Sequence, residues 1–540
     1  MTDTGDTYYV IGSGPSGVTC ALALLKQGKR VVMIDVGRSC EPEKLDIVNQ
    51  LRGVEPELWD TDLLERTKNI FRNDDFDLPV KLLYGSDFPY AFDALKEISQ
   101  NETKCLMSFA RGGLSNVWGG AMLPNTREDF EDWPVSYEEM SSHYAAVASF
   151  VHIAGSHDAI EGLFPFYHTP LAPPVLSNQA RLLLDRMGRY SEKLAVDGIY
   201  FGQSRLALNT RDGSDSGSCR YTGLCLTGCP YLAIYNATQT LDELLKHSNF
   251  SYKNGLKAVK VVERSRKEVT LHCKTLDGKE SFEFTGKRVF IACGVLATLQ
   301  LVLNSVAQMP QSALKILYQP YFMLPVVMGL NSLNVEKERL HTLSQLFIEI
   351  SDHKITNDII HLQVYTYNHF IKAKLSSMLG VLPDSCSQFI QKLLVGRLLL
   401  IQGYLNSKTA DGIDVSIEIS THSDNPVKLN LSAPPHLKAI KSIIRKVSFK
   451  LLKNSNYIGA YPIIPMLKIG VPGYGNHIGG SLPMRDRPKA FESDIYGRVA
   501  GMNRIHVVDG SVLPTIPAST ITYTIMANAH RIGQTSADLD

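Results

Sequence analysis

The chain has 540 residues, a formal net charge of +1 and nine cysteines, and 44 % of its residues are hydrophobic. This length exceeds one ordinary hydrophobic core, so two or three lobes are expected. The balanced charge gives no reason to expect a nucleic-acid partner. No secretory signal precedes the first predicted strand and no apolar run reaches membrane-spanning length, so we expect a cytoplasmic protein with reduced thiols.

The N-terminal segment predicts a dinucleotide-binding unit. The apolar run Tyr8–Ile11 predicts a buried parallel strand, and a helix is predicted over Val18–Gln27. Between them the chain reads G-x-G-x-x-G, in which the glycines permit a tight turn, a close approach of pyrophosphate and close packing of the helix on the strand. The turn residues assigned to the cofactor are Gly12, Ser13, Gly14 and Gly17.

A second predicted strand, Arg30–Ile34, ends at Asp35. A carboxylate at this place in such a unit binds a ribose hydroxyl. Residues 37–100 that follow are polar and irregular, which indicates a long excursion from the sheet, such as a lid or a subunit contact.

Glycines recur between Ala110 and Gly120. Such a segment is either a plain loop or backbone that lies against a flat ligand. For the second case we assign Gly113, Asn116 and Trp118 to the cofactor, with Asn116 as a polar contact and Trp118 as a stacking contact.

Cys219, Cys225 and Cys229 have the spacing C-x5-C-x3-C-P. The end of this run matches the end of the bacterial ferredoxin motif, and three thiolates suit a three-iron cluster. Zinc would require a fourth ligand, and no further His or Cys lies close in sequence. Plain thiols or a disulfide remain the alternative.

Residues 311–470 predict a second lobe built on a mainly antiparallel sheet, from four strand candidates with partial alternation: Leu343–Ile350, Ile359–Tyr367, Arg397–Leu405 and Gly412–Ile419. Within this lobe, His369–Leu394 is helix-like and carries lysines among apolar residues. Such a stretch either lies on a membrane surface or forms an ordinary packed helix pair.

The C-terminal block places His477 among glycines, where a ligand can approach it closely. Histidine is the side chain best suited to proton transfer near neutral pH. A strand then ends at Asp509 and Gly510. A helix predicted over Thr522–Ile532 directs its N-terminus, beginning at Thr522, at an electron-rich ring.

The sequence resembles the glucose–methanol–choline (GMC) flavoprotein oxidoreductases. Three segments carry the resemblance, in family order: V-I-G-S-G-P-S-G near the N-terminus, G-G-L-S-N-V-W-G, and the block from His477 through V-V-D-G-S to T-I-M-A. The resemblance implies an α/β chain, α+β overall, with a Rossmann-type FAD-binding domain and an antiparallel substrate-binding lobe. It divides the chain into an FAD-binding domain at 1–310, a substrate-binding lobe at 311–470 and a return to the FAD domain at 471–540.

The resemblance also implies oxidation of an alcohol carbon, with hydride transfer to flavin N5 and His477 as the base. Asp509 and Gly510 would lie by the FAD phosphates, and Asn116 near the isoalloxazine. The chain departs from the family at Thr520, where the usual partner of the catalytic histidine is His or Asn. A threonine hydroxyl can bind a substrate oxygen, but it is shorter, so the pocket geometry must differ.

The cysteine run resembles that of the catalytic subunits of bacterial FAD-dependent glucose and fructose dehydrogenases. This resemblance implies a [3Fe-4S] cluster on Cys219, Cys225 and Cys229, a sugar or polyol substrate, and an electron-acceptor protein or small subunit as partner. Three alternatives stand beside it: an oxygen-using oxidase with structural cysteines, a non-catalytic flavin and iron–sulfur relay subunit, and a lyase that uses FAD structurally.

Overall fold

The computed structural model describes residues 6–67, 71–72, 80–211, 217–311, 313–380, 383–419, 427–434 and 437–539. Within these ranges the chain forms α-helices, short 3-10 turns and five β-sheets. No helix of the described ranges combines the length and the apolar character that a membrane crossing requires.

The α-helices of the described residues, in chain order, are α1 (Pro15–Lys26), α2 (Pro42–Arg52), α3 (Thr61–Thr67), α4 (Phe92–Leu95), α5 (Tyr137–Ala148), α6 (Asn178–Arg189), α7 (Ser191–Val196), α8 (Ala237–Leu244), α9 (Val295–Ser305), α10 (His369–Leu379), α11 (Asp384–Leu394), α12 (Lys438–Lys453), α13 (Ser455–Ile458) and α14 (Thr522–Ser536).

The strands are β1 (Thr7–Ile11), β2 (Arg30–Ile34), β3 (Phe71–Arg72), β4 (Val80–Lys81), β5 (Ser99–Asn101), β6 (Ile199–Gln203), β7 (Phe250–Lys253), β8 (Leu256–Glu263), β9 (Val269–Thr275), β10 (Ser281–Gly286), β11 (Arg288–Ile291), β12 (Leu314–Tyr318), β13 (Tyr321–Met328), β14 (Leu346–Ile350), β15 (Ile360–Tyr365), β16 (Leu398–Tyr404), β17 (Ile413–Ile419), β18 (Val427–Ser432), β19 (Ala460–Pro462), β20 (Lys468–Ile469), β21 (Ile478–Gly479) and β22 (Ile505–Val507).

A five-stranded parallel sheet organises the N-terminal and C-terminal segments. Its strand order is β22-β11-β1-β2-β7, and Tyr9 pairs with Val32 on one side and Val289 on the other. Every residue of β1 is buried, as expected for a parallel strand covered on both faces. The predicted strand, glycine turn, helix and second strand are all present here. A phenolic hydrogen bond from Tyr8 to the Ala537 carbonyl (3.0 Å) ties the sheet to the end of α14.

A seven-stranded sheet has the order β19-β13-β16-β15-β14-β6, with β20 also paired to β13. Its core is antiparallel, and β14, β15 and β16 correspond to three of the four predicted strands. The fourth prediction, Gly412–Ile419, is corrected: β17 lies in a separate sheet between β12 and β18. Neither of those two partner strands was predicted. Strand β6 comes from the residues assigned to the FAD-binding domain, yet it pairs with β14.

The structure bears on two further expectations. The excursion at 37–100 is not irregular throughout, because it contains α2, α3 and α4, although residues 68–70 and 73–79 lie outside the described part. The stretch His369–Leu394 forms a pair of helices, one of the two alternatives for it, since α10 ends at Leu379 and α11 begins at Asp384. Residues 381–382 between them also lie outside the described part.

Candidate active site

A cavity of about 510 Å³ joins the carboxyl ends of the parallel strands to one face of the seven-stranded sheet. Ligands of open α/β sheets bind at this end of the strands. The predicted site residues that line the cavity are Gly12, Ser13, Gly14, Asp35, Gly113, Trp118, His477, Asp509, Gly510, Thr520 and Thr522. Residues far apart in the sequence therefore meet around one space.

The glycine turn has the shape that a pyrophosphate requires. Gly12 has φ +99°, and a Cβ there would lie 2.4 Å from the Ala292 carbonyl oxygen. A Cβ on Gly17 would lie 2.0 Å from the Gly12 carbonyl oxygen, which explains the close packing of helix on strand. A Cβ on Gly14 would meet nothing within 4 Å. Because Gly14 caps the N-terminus of α1, this space is a cradle for an anionic group.

Asp35 lies where the sequence places it, at the end of β2. Its carboxylate accepts hydrogen bonds from the Ser13 hydroxyl and from the Tyr252 hydroxyl (3.0 Å). Burial raises the pKa of this carboxyl group to about 6, although both hydrogen bonds oppose the rise. Ser13 also accepts a hydrogen bond from the Gly112 amide (2.9 Å), so it links Asp35 to the 110–120 segment.

The 110–120 segment contacts the glycine turn directly. Gly113 has φ +60°, and a Cβ there would lie 3.3 Å from the Gly14 Cα. The indole N–H of Trp118 donates to the Tyr235 carbonyl (2.8 Å), and this fixes the ring at the cavity wall. The segment therefore covers the cavity as backbone laid against a ligand would.

The sequence assigns Asn116 to the cofactor, and the structure directs its side-chain amide into its own loop. Its amide nitrogen donates to the Arg111 carbonyl (2.9 Å) and to the Gly113 carbonyl (2.7 Å). Its amide oxygen accepts from the Asn236 amide (2.8 Å). The side chain thus stabilises the loop from within, and it is not among the residues that line the cavity.

Asp509 connects two elements at the cavity. Its carboxylate accepts from the Gly294 amide (2.8 Å), the Thr298 hydroxyl (2.5 Å) and the Ser511 amide (2.9 Å). Burial raises the pKa of this carboxyl group, against the hydrogen bonds, which lower it. These bonds hold the start of α9 and the turn at Gly510 together beside the cavity.

His477 is half-buried and lines the same cavity as Asp35. Its Nδ1 lies 2.5 Å from the Gln319 amide oxygen, which can only accept a hydrogen bond. Nδ1 therefore carries the proton, and Nε2 is left with a lone pair. Burial lowers the pKa of the imidazole to about 4, with a smaller contribution from His361. The ring is therefore neutral at pH 7 and able to accept a proton.

Thr520 also lines the cavity and is almost fully buried. Its hydroxyl oxygen accepts a hydrogen bond from the Leu123 amide (3.2 Å). A hydroxyl carries one hydrogen as well as its acceptor positions, so this threonine keeps a donor for a group in the cavity.

Sequence reasoning did not find Gln319. Its amide nitrogen donates to the carbonyls of Pro517 (2.6 Å), Ala518 (2.7 Å) and Ser519 (2.9 Å), and its backbone amide donates to the His477 carbonyl (3.0 Å). No local pattern marks it, since its partners lie more than 150 residues away.

Sequence reasoning also missed a partly buried cation, Lys81. Lys81 lines the cavity, and burial lowers its pKa to about 8. Its ammonium group donates a hydrogen bond to the Trp118 carbonyl (3.4 Å), and a negative charge on Cys225 would oppose the lowering of its pKa. The residue falls in the excursion that the sequence marked only as irregular.

The cysteine run does not form the predicted [3Fe-4S] ligand set. Among the residues that the structure describes, no group of three or more His, Cys, Asp or Glu side chains is arranged to hold a metal ion. The three thiols pack with a small apolar cluster that includes Phe347, and Cys225 is buried. Burial raises the pKa of Cys219 to about 12 and that of Cys229 to about 11, so both remain protonated thiols at neutral pH.

Comparison with known proteins supports the fold. Residues 470–529 match the family model described as GMC oxidoreductase, and this segment contains His477, Asp509 and Thr520. Pyridoxine 4-oxidase from Mesorbium loti has a similar structure over 99 % of both chains, with a TM-score of 0.61 and 13 % identity. An FAD-dependent oxidoreductase from Chaetomium thermophilum, solved with a bound fragment, matches over 97 % of this chain and 98 % of its own, with a TM-score of 0.56 and 11 % identity. No curated protein matches the chain at a significant level. The chain has the GMC oxidoreductase fold.

Proposed function

We propose that this chain is an FAD-dependent oxidoreductase that oxidises the CH–OH group of a small alcohol, with His477 as the base. One observation carries the proposal: a neutral imidazole, with its proton held on Nδ1 by Gln319, lines the same cavity as the glycine turn. The parallel sheet would hold the cofactor, and the seven-stranded sheet would supply the substrate wall. A sugar or polyol as substrate remains a prediction that rests on the sequence resemblance.

The residues around the cavity fit FAD. The open space at Gly14 suits a phosphate, Asp35 suits a ribose hydroxyl, and Gly113 and Trp118 offer a flat surface. When bound, the flavin would supply the hydride acceptor. The chain itself would place the alcohol proton on His477 Nε2 and orient the alcohol oxygen with the Thr520 hydroxyl. Such a base contributes roughly 10²- to 10⁴-fold to a rate.

The test uses the FAD-loaded protein mixed without oxygen with a panel of sugars, polyols and aromatic alcohols, while flavin absorbance is followed. We expect at least one alcohol to bleach the flavin. His477→Ala should slow this bleaching by roughly 10²- to 10⁴-fold while FAD remains bound. His157→Ala serves as the matched control, because His157 is largely exposed and does not line the cavity. Bleaching at the normal rate in His477→Ala would show that His477 is not the base.

The electron acceptor needs its own experiment. An oxygen-using oxidase is the second candidate, favoured by the arrangement of the three cysteines and by the oxidase name of one structure with this fold. Protein purified without oxygen would be analysed for iron and by low-temperature EPR, then exposed to air with substrate. Peroxide without iron supports the oxidase. A three-iron EPR signal would instead support a dehydrogenase that passes electrons through an iron–sulfur cluster to a partner protein.

Peripheral membrane contact also remains a prediction. Helices α10 and α11 expose Met378, Phe389 and Leu393, with the exposed lysines Lys374 and Lys392 nearby in sequence. This composition suits an anionic lipid surface. Co-sedimentation with vesicles that contain phosphatidylserine should fall in a K374E/K392E variant if the contact exists, and binding that is absent or unchanged would refute it.

A further inference from the structure

One face of the seven-stranded sheet is polar although it is buried. Strands β14, β15 and β16 place Glu349 opposite His361, His361 opposite Tyr404, and Gln363 opposite Gln402. The exposed fractions of Glu349 and His361 are 0 %, and that of Gln363 is 4 %. Burial of polar groups is costly unless hydrogen bonds compensate, so a buried polar face needs a reason.

These side chains form one directional chain of hydrogen bonds. His361 Nδ1 lies 2.7 Å from a Glu349 carboxylate oxygen, and the Gln363 amide nitrogen lies 3.2 Å from His361 Nε2. An amide NH₂ group can only donate, so Nε2 must accept and the proton must be on Nδ1, from where it is donated to Glu349. All hydrogen bonds of this series therefore donate in one direction, toward the Glu349 carboxylate, which accepts at the buried end.

The chain of hydrogen bonds ends in the cavity at Tyr365. With its nitrogen directed at His361, Gln363 turns its amide oxygen to Tyr365, whose hydroxyl donates to it (3.0 Å). A phenol has one hydrogen, so Tyr365 then offers only acceptor positions. Tyr404 repeats the arrangement, since its hydroxyl donates to the Gln402 amide oxygen (3.1 Å). The Tyr404 ring centre lies 5.7 Å from that of His477, so the polar wall reaches the candidate base.

We propose that Glu349, acting through His361 and Gln363, is a specificity-determining positioning residue that fixes Tyr365 as a hydrogen-bond acceptor toward the substrate. The substrate is accordingly an alcohol that carries a second hydrogen-bond donor, a hydroxyl or N–H group, away from the reacting carbon. This inference rests on the proposed function for the identity of the cavity. The direction of the hydrogen bonds along the cavity wall follows from the protein's own side chains. Tyr365 and Gln363 both line that cavity.

The test compares two probes that differ in one hydrogen-bond donor: 3-hydroxybenzyl alcohol and 3-methoxybenzyl alcohol. For each, the Kd is measured from the change in flavin absorbance on binding, and the rate of flavin reduction is measured without oxygen. The wild-type protein should prefer the hydroxyl compound by roughly tenfold, which corresponds to one satisfied hydrogen bond. Tyr365→Phe should abolish the preference. A preference of equal size in Tyr365→Phe would overturn the assignment of Tyr365.

Glu349→Gln tests the buried end of this series of hydrogen bonds. An amide at this position can either donate to or accept from Nδ1, so it no longer specifies one polarity, and the preference should fall several-fold although residue 349 does not line the cavity. Gln363→Met interrupts the chain without altering the buried carboxylate and covers the case in which Glu349→Gln does not fold. Ile348→Val, one position along β14, is the control and should keep the preference. An unchanged preference in a folded Glu349→Gln or Gln363→Met variant would overturn the proposal.

The two readouts separate this inference from the proposed function. If neither probe nor any other alcohol reduces the flavin, but the binding preference changes in the variants as expected, alcohol oxidation is wrong and the wall assignment holds. If the flavin is reduced and neither probe is preferred in binding, the wall assignment is wrong and alcohol oxidation holds.

Discussion

Gln319 binds His477 and the segment before Thr520 with the two ends of one amide group. The amide oxygen lies 2.5 Å from His477 Nδ1, and the amide nitrogen contacts the carbonyls of residues 517–519 at 2.6–2.9 Å. The same side chain therefore sets the imidazole tautomer and the position of the backbone that carries the Thr520 hydroxyl. A base and a hydroxyl that act on one alcohol oxygen need this kind of shared support.

Gln319→Met should lower the rate of flavin reduction by roughly 10- to 100-fold, less than the loss of the base itself. Methionine has a similar length but makes neither contact, so His477 would lose its fixed tautomer. The companion variant Gln319→Glu keeps an acceptor for Nδ1 but adds a negative charge, which should raise the pKa of His477. Stopped-flow pH profiles check both variants. An acid limb at the same pH in Gln319→Glu and wild type would contradict the assigned contact.

The rate of flavin reduction should stay constant from pH 8 to pH 5.5 and fall only toward pH 4. Burial lowers the pKa of His477 to about 4, so the neutral, proton-accepting form persists through this range. A histidine with its ordinary pKa of about 6.5 would have lost activity by about tenfold at pH 5.5. Single-turnover rates across the range decide between the two profiles. A midpoint near pH 6.5 would show that the imidazole is not desolvated as the structure indicates.

The part of the cavity formed by the glycine turn and Asp35 could be predicted because its residues lie close together in sequence. The glycines, Asp35 and the two strands lie within 30 residues, and each has a steric role that a motif can encode. The substrate end could not be predicted in the same way. Gln319 and His477 are 158 residues apart, and only the folded sheets bring them together. His477 has a local signal in its glycine setting, and a further local signal is the alternation of His361, Gln363 and Tyr365 with apolar residues along β15.

The cysteine run shows the limit of spacing as an argument. The pattern C-x5-C-x3-C-P suggested metal ligands, yet Cys219, Cys225 and Cys229 lie against an apolar cluster, and burial raises the pKa of each thiol. Spacing fixes how far apart ligands are along the chain, but not which way the thiols point or how strongly they are desolvated. Side-chain direction is equally hidden from the sequence at Asn116, whose amide donates to backbone carbonyls of its own loop.

Gly14→Ala should lower the affinity for FAD, whereas Gly12→Ala should lower the stability of the protein. A Cβ on Gly14 meets no protein atom within 4 Å, and Gly14 has φ −65°, so the variant should fold and lose affinity for FAD. A Cβ on Gly12 would lie 2.4 Å from a carbonyl oxygen at φ +99°, so that variant should be destabilised even without cofactor. Thermal unfolding of the apoprotein and FAD titration measure the two effects. Equal FAD affinity in Gly14→Ala and wild type would place the phosphates elsewhere.

The free energy of unfolding should fall as the pH decreases from about 6.5 toward 4. The fractions of exposed surface at His506 and His341 are 0 % and 3 %, and burial lowers their pKa values to about 3 and about 4. In the unfolded chain each binds a proton below its ordinary pKa of about 6.5, while the native state does not, so acid favours unfolding. Each site should cost about 2 kcal/mol at pH 5, from 1.36 kcal/mol per pKa unit.

Urea unfolding at pH 7 and pH 5 measures this loss of stability. His341→Gln should reduce it by about one site, roughly 2 kcal/mol, because the variant keeps a polar acceptor for Gln345 but cannot take up the proton. His157→Gln, at a largely exposed position, should leave the difference between the two pH values unchanged. If the loss between pH 7 and pH 5 is the same in His341→Gln and wild type, His341 is not held neutral by burial, and the acid sensitivity must come from other groups.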